Sequence, residues 1–357
     1  MLDELDLQPG ALYENVLIDG IDVMALEEGQ EFQLGEALVA VTIPCEPCIQ
    51  MERVRGGLRQ VLQNRRGMFV KVLVPGTVRV GDRLTPRGSV LPAGSPVRTA
   101  LTIAGSDPSG GAGLQADIKT FSELRVYGMA VVTAVTVQNT LGVSDIGEIS
   151  PRLVEEQLAS VLSDIPPDAT KTGMLLTAGV VEAVAKQLKR YAVPNLVVDP
   201  VMISSSGAQL MKPDAVAAFQ HVLLPLAFLV TPNIDEASAL TRTSVCSVDD
   251  MEQAAVRIFE MGAKNVLIKG GHLDGNEATD VLFDGHELVT FRMPRVTARN
   301  THGTGCVLSA AITAHLAMGR LVKEAVDLGK QFVTKAISNG LQIGSGVGPC
   351  DPLNLVG

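Results

Sequence analysis

Residues 101–124 read LTIAGSDPSGGAGLQADIKTFSEL, and this segment alone indicates a fold class. It begins with a strand-like run at 101–104, passes through a glycine-rich loop at 105–113 and continues as a helix-like run to residue 124. A short apolar strand that leads through a loop directly into a helix is the repeating unit of parallel α/β sheets. The segment therefore predicts the first strand and helix of an α/β domain.

The same alternation of strand-like and helix-like runs continues along the chain. Strand-like runs recur at 130–137, 196–198, 228–230 and 266–268, and helix-like runs at 152–162, 178–191, 214–223 and 251–261. Near-continuous apolar strands predict a mainly parallel sheet that helices cover on both faces. Active sites in such sheets lie beyond the carboxyl ends of the strands. The residues at or just after strand ends are therefore site candidates: Gly105, Gln138, Asp199, Asn233 and Lys269.

Length, composition and charge limit the class of protein. With 357 residues, the chain is long enough for two domains. Its net charge of −10, its lack of tryptophan and its three tyrosines argue against nucleic acid as a partner. No apolar run reaches the length of a membrane span, and the first residues lack the basic character of a signal peptide. We therefore expect a cytoplasmic protein without a membrane partner, in which the five cysteines are free thiols or catalytic groups.

The first 84 residues differ from the rest, because short β-branched runs alternate there with glycines. They predict a small, mixed or barrel-like β domain. Residues 85–97 are rich in proline and glycine and predict a linker to an α/β domain at 98–357. Cys45 and Cys48 have the spacing of half a zinc site. No other cysteine lies nearby and every histidine follows residue 220, so we expect neither structural zinc nor a thioredoxin-like redox pair.

A second glycine-rich segment, Asn300-Thr301-His302-Gly303-Thr304-Gly305-Cys306, lies between a strand-like run at 287–296 and a helix-like run at 307–318. Backbone N–H groups at a helix start are unpaired and the helix dipole adds positive potential, so this turn predicts a phosphate site. Cys306 falls in the first helical turn, where we expect a lowered thiol pKa. An anion site beside a base suits phosphoryl transfer to a hydroxyl. The alternative is a glycine-rich helix start with a buried, inert cysteine.

Two other classes of nucleotide-binding protein are disfavoured. Gly111, Gly113 and Ala116 satisfy the dinucleotide-binding pattern G-x-G-x-x-G/A, but residues 131–139 offer no acid to hold a ribose. The printed sequence contains no P-loop pattern either. A bound nucleotide is therefore expected at the turn that begins with Gly303.

Acidic side chains near the predicted sheet edge are candidates for binding Mg²⁺. Asn233 and Glu236 lie one helical turn apart at a helix start, where Glu236 is placed to bind the ion directly or through water. The alternative is a helix cap with Asn233 as the N-cap residue, and the two roles are compatible. Asp199 ends a buried strand, where an unpaired carboxylate would be costly, so a metal or phosphate role is favoured.

Residues 98–357 resemble the ribokinase-like superfamily, and within it the hydroxymethylpyrimidine/phosphomethylpyrimidine kinases of thiamine biosynthesis. The resemblance implies an α/β fold, a three-layer α/β/α sandwich with a mainly parallel sheet, together with ATP and Mg²⁺ as cofactors and a homodimer. The segments that carry it are residues 100–117, Gln138-Asn139-Thr140, Lys171-Thr172-Gly173-Met174, Asp199-Pro200-Val201-Met202, Thr231-Pro232-Asn233, Lys269-Gly270-Gly271-His272 and Asn300 to Cys306.

The resemblance also implies roles for the matching residues. The family's anion hole and general base correspond to Gly303, Thr304, Gly305 and, as the base, Cys306. Its substrate pocket corresponds to Gln138, which binds the aminopyrimidine ring, and to Asp117, Met174 and Gly105. Its ATP- and phosphate-binding residues correspond to Asn233, Lys269 and Asp199. Its magnesium ligands correspond to Glu236 and Asp199.

The front segment resembles the later part of a MOSC domain, the β-barrel module of molybdenum-cofactor sulfurases. The likeness rests on Tyr13-Glu14-Asn15-Val16 with Gly20-Ile21, Pro44-Cys45-Glu46-Pro47-Cys48, Arg65-Arg66-Gly67-Met68 and residues 76–82. It implies a truncated, MOSC-like β barrel, in which Cys45 or Cys48 handles sulfur or a metal. The alternative is a relict or an interaction surface.

Together these features lead to the hypothesis of ATP-dependent phosphorylation of 4-amino-5-hydroxymethyl-2-methylpyrimidine and then of its monophosphate. The expected partner is thus a small-molecule substrate. Pyridoxal kinase on the same fold is one alternative. A non-catalytic pyrimidine-sensing regulator is a second, and molybdenum-cofactor or sulfur handling by the front domain is a third.

Overall fold

The structure is a computed structural model that describes residues 7, 11–19, 21–26, 29–63, 65, 67–82, 84–87, 97–202, 210–271, 273 and 275–355. The chain folds as two compact units, Met1–Val97 and Arg98–Gly357. Among the helices that the structure describes, none is long and apolar enough to cross a membrane.

The Met1–Val97 unit contains a four-stranded antiparallel sheet with the strand order β3-β2-β1-β4. Phe32, Val39 and Val41 form a buried cluster on this sheet, and Met51 and Leu58 belong to a second cluster. The elements are β1 (Glu31–Leu34), β2 (Ala37–Pro44), α1 (Gln50–Val54), α2 (Leu58–Val61), β3 (Met68–Val74) and β4 (Leu84–Arg87).

Part of the segment that the sequence assigns to a linker is a strand. Residues 85–87 belong to β4, which pairs with β1 in antiparallel register. Pro86 is tolerated there because β4 lies at the edge of the sheet, where one side of the strand needs no ladder hydrogen bond. The rest of the predicted linker, residues 88–96, lies outside the described residues.

The Arg98–Gly357 unit is built on a nine-stranded sheet with the order β13-β12-β11-β10-β9-β8-β5-β6-β7. The pairs from β11 through β6 are parallel, and antiparallel strands lie at both edges. The strands are β5 (Thr99–Ser106), β6 (Tyr127–Asn139), β7 (Gly142–Glu148), β8 (Ala169–Thr172), β9 (Leu196–Val198), β10 (Leu229–Val230), β11 (Val266–Gly270), β12 (Glu277–Phe283) and β13 (Leu288–Pro294).

Helices connect the strands, and several begin at a polar side chain that accepts a hydrogen bond from the first turn. Ser150, Thr177 and Ser247 cap helices in this way. The helices are α3 (Gly113–Glu123), α4 (Pro151–Asp164), α5 (Ala178–Arg190), α6 (Pro213–Ala218), α7 (Ile234–Thr241), α8 (Val248–Glu260), α9 (Thr304–Ala317) and α10 (Val322–Ser338). Within the predicted helix at 214–223, α6 ends at Ala218 and a π-helical turn, Phe219–Leu223, follows it.

Alternate residues of each central strand point to opposite faces of the sheet and enter two separate cores. In β9, Leu196 and Val198 pack into one core, and Val197 packs into the other. The first core includes residues of α4, α5 and α8, whereas the second includes residues of α3, α9 and α10. This arrangement is a three-layer sandwich with a mainly parallel sheet, which confirms the predicted fold class.

Candidate active site

A cavity of about 760 Å³ lies at the carboxyl ends of the parallel strands in the Arg98–Gly357 unit. The fold thus brings together side chains that are up to about two hundred positions apart in the sequence. Every predicted site residue except Asp117 lines this cavity: Gly105, Gln138, Met174, Asp199, Asn233, Glu236, Lys269, Gly303, Thr304, Gly305 and Cys306.

The start of α9 forms one wall of the cavity and is open to it. Gly303 is the N-cap residue and has a left-handed backbone with φ +79°. A Cβ atom at Gly303 would lie 1.8 Å from the carbonyl oxygen of Gly111, so both conformation and space require glycine. A Cβ atom at Gly305 would lie 3.5 Å from Lys269 Nζ and 4.0 Å from Asp199 Oδ2. The first turn of α9 therefore faces this charged pair and suits an anion such as phosphate.

Cys306 lies in the first turn of α9, on the cavity wall. Burial raises the pKa of its thiol to about 11, although the charge of Lys171 and the backbone N–H of Gly113 act in the opposite direction. The expected lowering of this pKa is therefore wrong for the protein without substrate, because loss of water outweighs the favourable helix position. At neutral pH, Cys306 is a neutral thiol.

Asp117 does not reach the cavity, which corrects the role that the resemblance implies. Its side chain and that of Lys171 are both fully buried and form an ion pair, with Lys171 Nζ 2.6 Å from Asp117 Oδ1. The Thr102 hydroxyl donates to the other carboxylate oxygen at 2.6 Å. Burial alone would lower the pKa of Lys171, but the charges of Asp117, Cys306 and Asp199 raise it above its usual value. Asp117 is thus part of a buried ion pair with Lys171, whose charge acts on the pKa of Cys306.

Asp199 and Lys269 form a second buried ion pair, this one on the cavity wall. Lys269 Nζ lies 2.8 Å from Asp199 Oδ1, and the Asp199 side chain is only 2% exposed. The Ser309 hydroxyl donates to Asp199 Oδ2 at 3.1 Å, and the Thr231 hydroxyl donates to Oδ1 at 3.3 Å. The carboxylate is therefore held rigidly, and it presents the lysine ammonium to the cavity.

Asn233 and Glu236 form a capping box at the start of α7. Asn233 Oδ1 accepts a hydrogen bond from the Glu236 N–H at 2.9 Å, and Glu236 Oε2 accepts one from the Asn233 N–H at 2.8 Å. Burial raises the pKa of Glu236 to about 7; the charge of Lys269 lowers it, and that of Asp199 raises it. The carboxylate therefore has a structural role as a cap and also contributes charge at the cavity.

A chain of hydrogen-bonded polar side chains forms another part of the cavity wall. His302 Nε2 is 3.0 Å from Asp107 Oδ2 and 3.1 Å from Gln138 Nε2. Gln138 Oε1 is 3.1 Å from Thr136 Oγ1. Gln138 thus faces the cavity with its amide held on two sides.

An apolar surface adjoins this polar chain. Met174 is buried and packs with Leu176, Leu210 and Val201. A Cβ atom at Gly105 would lie 3.2 Å from Met174 Sδ, so glycine lets the thioether pack against the end of β5. An apolar wall beside a polar amide is the usual composition of a small-molecule site.

The far end of the cavity has a different composition. Lys330 of α10 pairs with Asp280 of β12, with Lys330 Nζ 2.6 Å from Asp280 Oδ2. Val333 and Ile337, on the same helix, and Leu308 of α9 supply apolar surface there. The cavity lining therefore includes a second charged pair and a second apolar surface besides those described above.

Comparison with known proteins agrees with this geometry. The family model described as phosphomethylpyrimidine kinase matches residues 107–351. The chain belongs to this family. It is 46% identical over 251 residues to the hydroxymethylpyrimidine/phosphomethylpyrimidine kinase of Bacillus subtilis (strain 168), and the match covers 70% of this chain and 93% of the relative. The MOSC domain model matches residues 1–85, which confirms the resemblance of the front segment.

Solved structures related to the phosphomethylpyrimidine kinase family share the fold of the Arg98–Gly357 unit. The phosphomethylpyrimidine kinase from Clostridium difficile 630 is 45% identical with a TM-score of 0.61, and the match covers 67% of this chain and 99% of that one. The pyridoxal kinase from Staphylococcus aureus in complex with AMP-PCP and pyridoxal is 39% identical with a TM-score of 0.67, and the match covers 73% of this chain and 96% of that one. These similarities confirm the ribokinase-like fold.

The sequence alone assigns no catalytic or binding role to three residues at or near the site, Lys171, Asp107 and His302. Lys171 lies in the short buried strand β8. A lysine is almost never fully buried unless its charge is paired, so its position in a buried strand indicates an ion pair. Asp107 and His302 lie in glycine-rich loops that the sequence does indicate, but their contact spans 195 positions. One predicted segment is not complete, because His272 lies outside the described residues.

Proposed function

We propose that the chain transfers the γ-phosphoryl group of ATP to the hydroxyl of 4-amino-5-hydroxymethyl-2-methylpyrimidine, and then phosphorylates the resulting monophosphate, as a step of thiamine biosynthesis. One observation supports the proposal most strongly. In a chain of the phosphomethylpyrimidine kinase family, a single cavity contains the open start of α9, the Cys306 thiol and the Lys269–Asp199 pair. An anion site, a base and a cation are the groups that phosphoryl transfer to an alcohol requires.

Each group has its own task in this proposal. The backbone N–H groups of Gly303, Thr304 and Gly305 bind the oxygens of the transferring phosphoryl group. The hydroxyl oxygen of the pyrimidine forms a bond to the γ-phosphorus while the bond from phosphorus to the ADP oxygen breaks. The thiolate of Cys306 takes the hydroxyl proton. Lys269 neutralises charge on the nucleotide phosphates and is itself held by Asp199.

We include Mg²⁺ in the proposal because the acidic residues beside Lys269 suit it. The charge of Asp199 contributes to the raised pKa of Glu236, and a divalent cation would relieve this repulsion. Mg²⁺ binds through one or two carboxylates and takes its other ligands from phosphates and water. This agrees with the absence, among the described residues, of any group of three or more histidine, cysteine or acidic residues that would hold a metal alone. When bound, Mg²⁺ supplies neutralisation of phosphate charge.

The second phosphorylation requires no additional catalytic group. In the monophosphate, a phosphate oxygen takes the place of the hydroxyl oxygen as the nucleophile, and the same anion site receives the next γ-phosphoryl group. The cavity of about 760 Å³ has room for this extra group. A single site is therefore sufficient for both steps.

The direct experiment incubates the purified chain with ATP, Mg²⁺ and the pyrimidine alcohol, and follows the products by phosphorus NMR. We expect the monophosphate first and the diphosphate later, with one ADP formed for each phosphoryl group transferred. Formation of neither product would refute the proposal. Turnover of ATP with the pyrimidine would exclude a non-catalytic sensor.

Pyridoxal kinase is the second candidate function, because the S. aureus relative binds pyridoxal in a protein of the same fold. The two candidates are separated by measuring kcat/KM for pyridoxal and for the pyrimidine alcohol under the same conditions. We expect the pyrimidine to have the higher value. A higher value for pyridoxal would reverse the assignment.

Two further parts of the proposal concern assembly and the front unit. We propose a cytoplasmic homodimer; Val135, Val137 and Leu141 are exposed apolar side chains on the β6–β7 hairpin, and they support association through that edge. Light scattering on the purified chain measures its mass.

All residues that line the cavity belong to Arg98–Gly357, so deletion of residues 1–97 is expected to leave the kinase reaction unchanged. Loss of the reaction would point to a role for the front unit.

A further inference from the structure

Gln138 is held by hydrogen-bonding groups whose donors and acceptors can be counted one by one. The Thr136 hydroxyl lies 3.0 Å from the carbonyl oxygen of Ser106 and 3.1 Å from the end of the Gln138 amide that the structure assigns as Oε1. The end assigned as Nε2 lies 3.1 Å from His302 Nε2. His302 Nε2 in turn lies 3.0 Å from Asp107 Oδ2. The two ends of a side-chain amide have the same shape, so these partners decide which end is oxygen and which is nitrogen.

Asp107 fixes the proton on His302. Its Oδ1 accepts hydrogen bonds from the N–H and the hydroxyl of Ser109, at 2.8 and 2.7 Å, and its Oδ2 accepts one from the N–H of Ala112 at 2.9 Å. Burial would raise the pKa of Asp107, but the hydrogen bonds from His302 and Ser109 hold it below its usual value. Asp107 is therefore an ionised carboxylate, which only accepts hydrogen bonds. Consequently, His302 Nε2 carries a hydrogen and donates it to Asp107.

A protonated Nε2 excludes one of the two amide orientations. If the amide nitrogen faced His302, two donors would meet, and the single Thr136 hydrogen would have to serve both Ser106 and the amide oxygen. With the amide oxygen toward His302, Nε2–H is shared between that oxygen and Asp107. The amide nitrogen then donates to Thr136 Oγ1, whose hydrogen goes to the carbonyl of Ser106. In this second orientation the amide, Thr136 Oγ1 and His302 Nε2 each meet a partner of the complementary kind.

The surrounding backbone holds the His302 ring in place. A Cβ atom at Gly111 would lie 2.5 Å from His302 Cδ2, so the glycine gives the ring its space. The His302 N–H donates to the carbonyl of Gly348 at 3.1 Å, and the Cys350 N–H donates to the carbonyl of His302 at 3.2 Å. The His302 residue as a whole is 8% exposed. The histidine is thus a rigid support rather than a mobile side chain.

We propose that the Asp107–His302 pair is a positioning element that fixes the Gln138 amide with its oxygen toward His302 and its nitrogen toward Thr136. The proposal rests on the proposed function in one respect, because it takes the pyrimidine to bind at Gln138. In the fixed orientation, the amide has one N–H and one oxygen lone pair left to offer. An aminopyrimidine has the complementary pair, a ring nitrogen that accepts and an amino group that donates. Pyridoxal has no amino group beside its ring nitrogen, so the fixed amide favours the pyrimidine.

The first test is a double-mutant cycle on the dissociation constant of the pyrimidine alcohol, measured by titration calorimetry with a non-hydrolysable ATP analogue present. His302→Ala is expected to weaken pyrimidine binding by about tenfold, the effect of losing one charge-assisted hydrogen bond. If His302 acts through Gln138, adding His302→Ala to Gln138→Ala weakens binding no further. Additive effects of the two substitutions would overturn the proposal. Binding of the ATP analogue is expected to stay unchanged in all variants, and its loss would show instead that the α9 start had moved.

Matched variants separate positioning from folding. His302→Gln keeps an N–H that can reach Asp107 and Gln138 and is expected to restore most of the affinity, whereas a purely structural role gives no such rescue. Asp107→Asn keeps the shape but removes the acceptor that orients His302, and it is expected to behave like His302→Ala. These two variants carry the test if His302→Ala does not fold. The exposed His221→Ala is the control and leaves the affinity unchanged.

A second measurement separates failure of this proposal from failure of the proposed function. Nitrogen-15 NMR of the protein without substrate reports which ring nitrogen of His302 carries hydrogen. We expect a protonated Nε2, whatever the substrate proves to be. A deprotonated Nε2 would overturn the proposal even in an active pyrimidine kinase. A protonated Nε2 in a protein that does not bind the pyrimidine would refute the function and leave the His302–Gln138 geometry standing.

Discussion

The pKa of Cys306 gives the most specific kinetic prediction. Burial raises this pKa to about 11, so at pH 7 about one thiol in 10⁴ is ionised. If the thiolate takes the hydroxyl proton, kcat/KM for the pyrimidine alcohol, which reports the protonation state of the protein without substrate, should rise by about tenfold per pH unit from about pH 7 to about pH 9. The rate rises with pH because the active form of Cys306 is the deprotonated thiolate, and the population of this form grows until the pH reaches the pKa.

Substitutions of Cys306 test the same prediction from a second side. Cys306→Ala is expected to lower kcat by about 10² or more, the usual effect of losing a general base. Cys306→Asp supplies a carboxylate whose ordinary pKa is far below 7, and kcat/KM should then be nearly independent of pH over that range. The assay couples ADP release to an optical signal at saturating ATP and varied concentrations of the pyrimidine alcohol. The exposed Cys246→Ser is the control and keeps the wild-type profile.

Two results would refute this reasoning. A flat pH profile of kcat/KM in the wild-type chain would mean that no group with a pKa near 11 limits the reaction. A near-normal kcat in Cys306→Ala would mean that the thiol is not the base. Either result would leave the anion site at the start of α9 without its proposed partner.

Three further predictions concern the groups around Cys306. Without added Mg²⁺, Glu236→Gln should raise the free energy of unfolding at about pH 8 by about 3 kcal/mol and yet lower activity. The reason is that the folded state favours the protonated Glu236 carboxyl, so the wild type loses this contribution to stability as pH rises from 4.5 to about 7. Lys171→Met should lower the free energy of unfolding by about 3–5 kcal/mol, because it leaves Asp117 buried without its partner. Gly305→Ala should preserve the fold, since its Cβ would lie 3.5 Å from Lys269 Nζ, but should lower kcat/KM for ATP by about tenfold or more by filling the phosphate site. Chemical denaturation measures the first two effects, and steady-state kinetics the third.

Each of these three predictions has a matched control. For Glu236, a stability difference between Glu236→Gln and the wild type that does not grow between pH 4.5 and about 7 would contradict the raised pKa. For Lys171, the exposed pair Arg152–Glu156 is the comparison, and Arg152→Ala should change stability by less than about 1 kcal/mol. For Gly305, the control is Gly147→Ala on the β7 edge strand, where the added Cβ meets nothing closer than 3.6 Å. Equal effects of Gly305→Ala and Gly147→Ala on ATP kinetics would contradict a phosphate site.

Local patterns predict the central sheet well, because its strands are buried on both faces. The predicted run at 196–198 coincides with β9, and 266–268 lies within β11. The four-residue strand β8 is different, because Thr170, Lys171 and Thr172 give it no apolar pattern. The edge strand β7 is largely exposed and carries a polar sequence, so it also lacks the signal of a strand. Burial of a polar strand depends on its neighbours, which a local pattern does not contain.

The candidate site divides in a similar way. Its glycines and its cysteine are visible in the sequence because a turn before a helix has a recognisable composition. The pKa of Cys306 is not visible, since it depends on how completely other elements exclude water. The burial of Asp117 beneath the cavity depends likewise on Lys171, which is 54 positions away. Sequence therefore predicts which residues gather at the site better than it predicts their protonation.

A crystal structure of the chain with ADP, Mg²⁺, aluminium fluoride and the pyrimidine alcohol would test the central claim most directly. We expect the fluoride group, which stands in for the transferring phosphoryl, within hydrogen-bonding distance of the backbone N–H groups of Gly303, Thr304 and Gly305. The pyrimidine hydroxyl should then lie between it and Cys306 Sγ. A fluoride group bound away from the start of α9, or a hydroxyl out of reach of Cys306, would contradict the account.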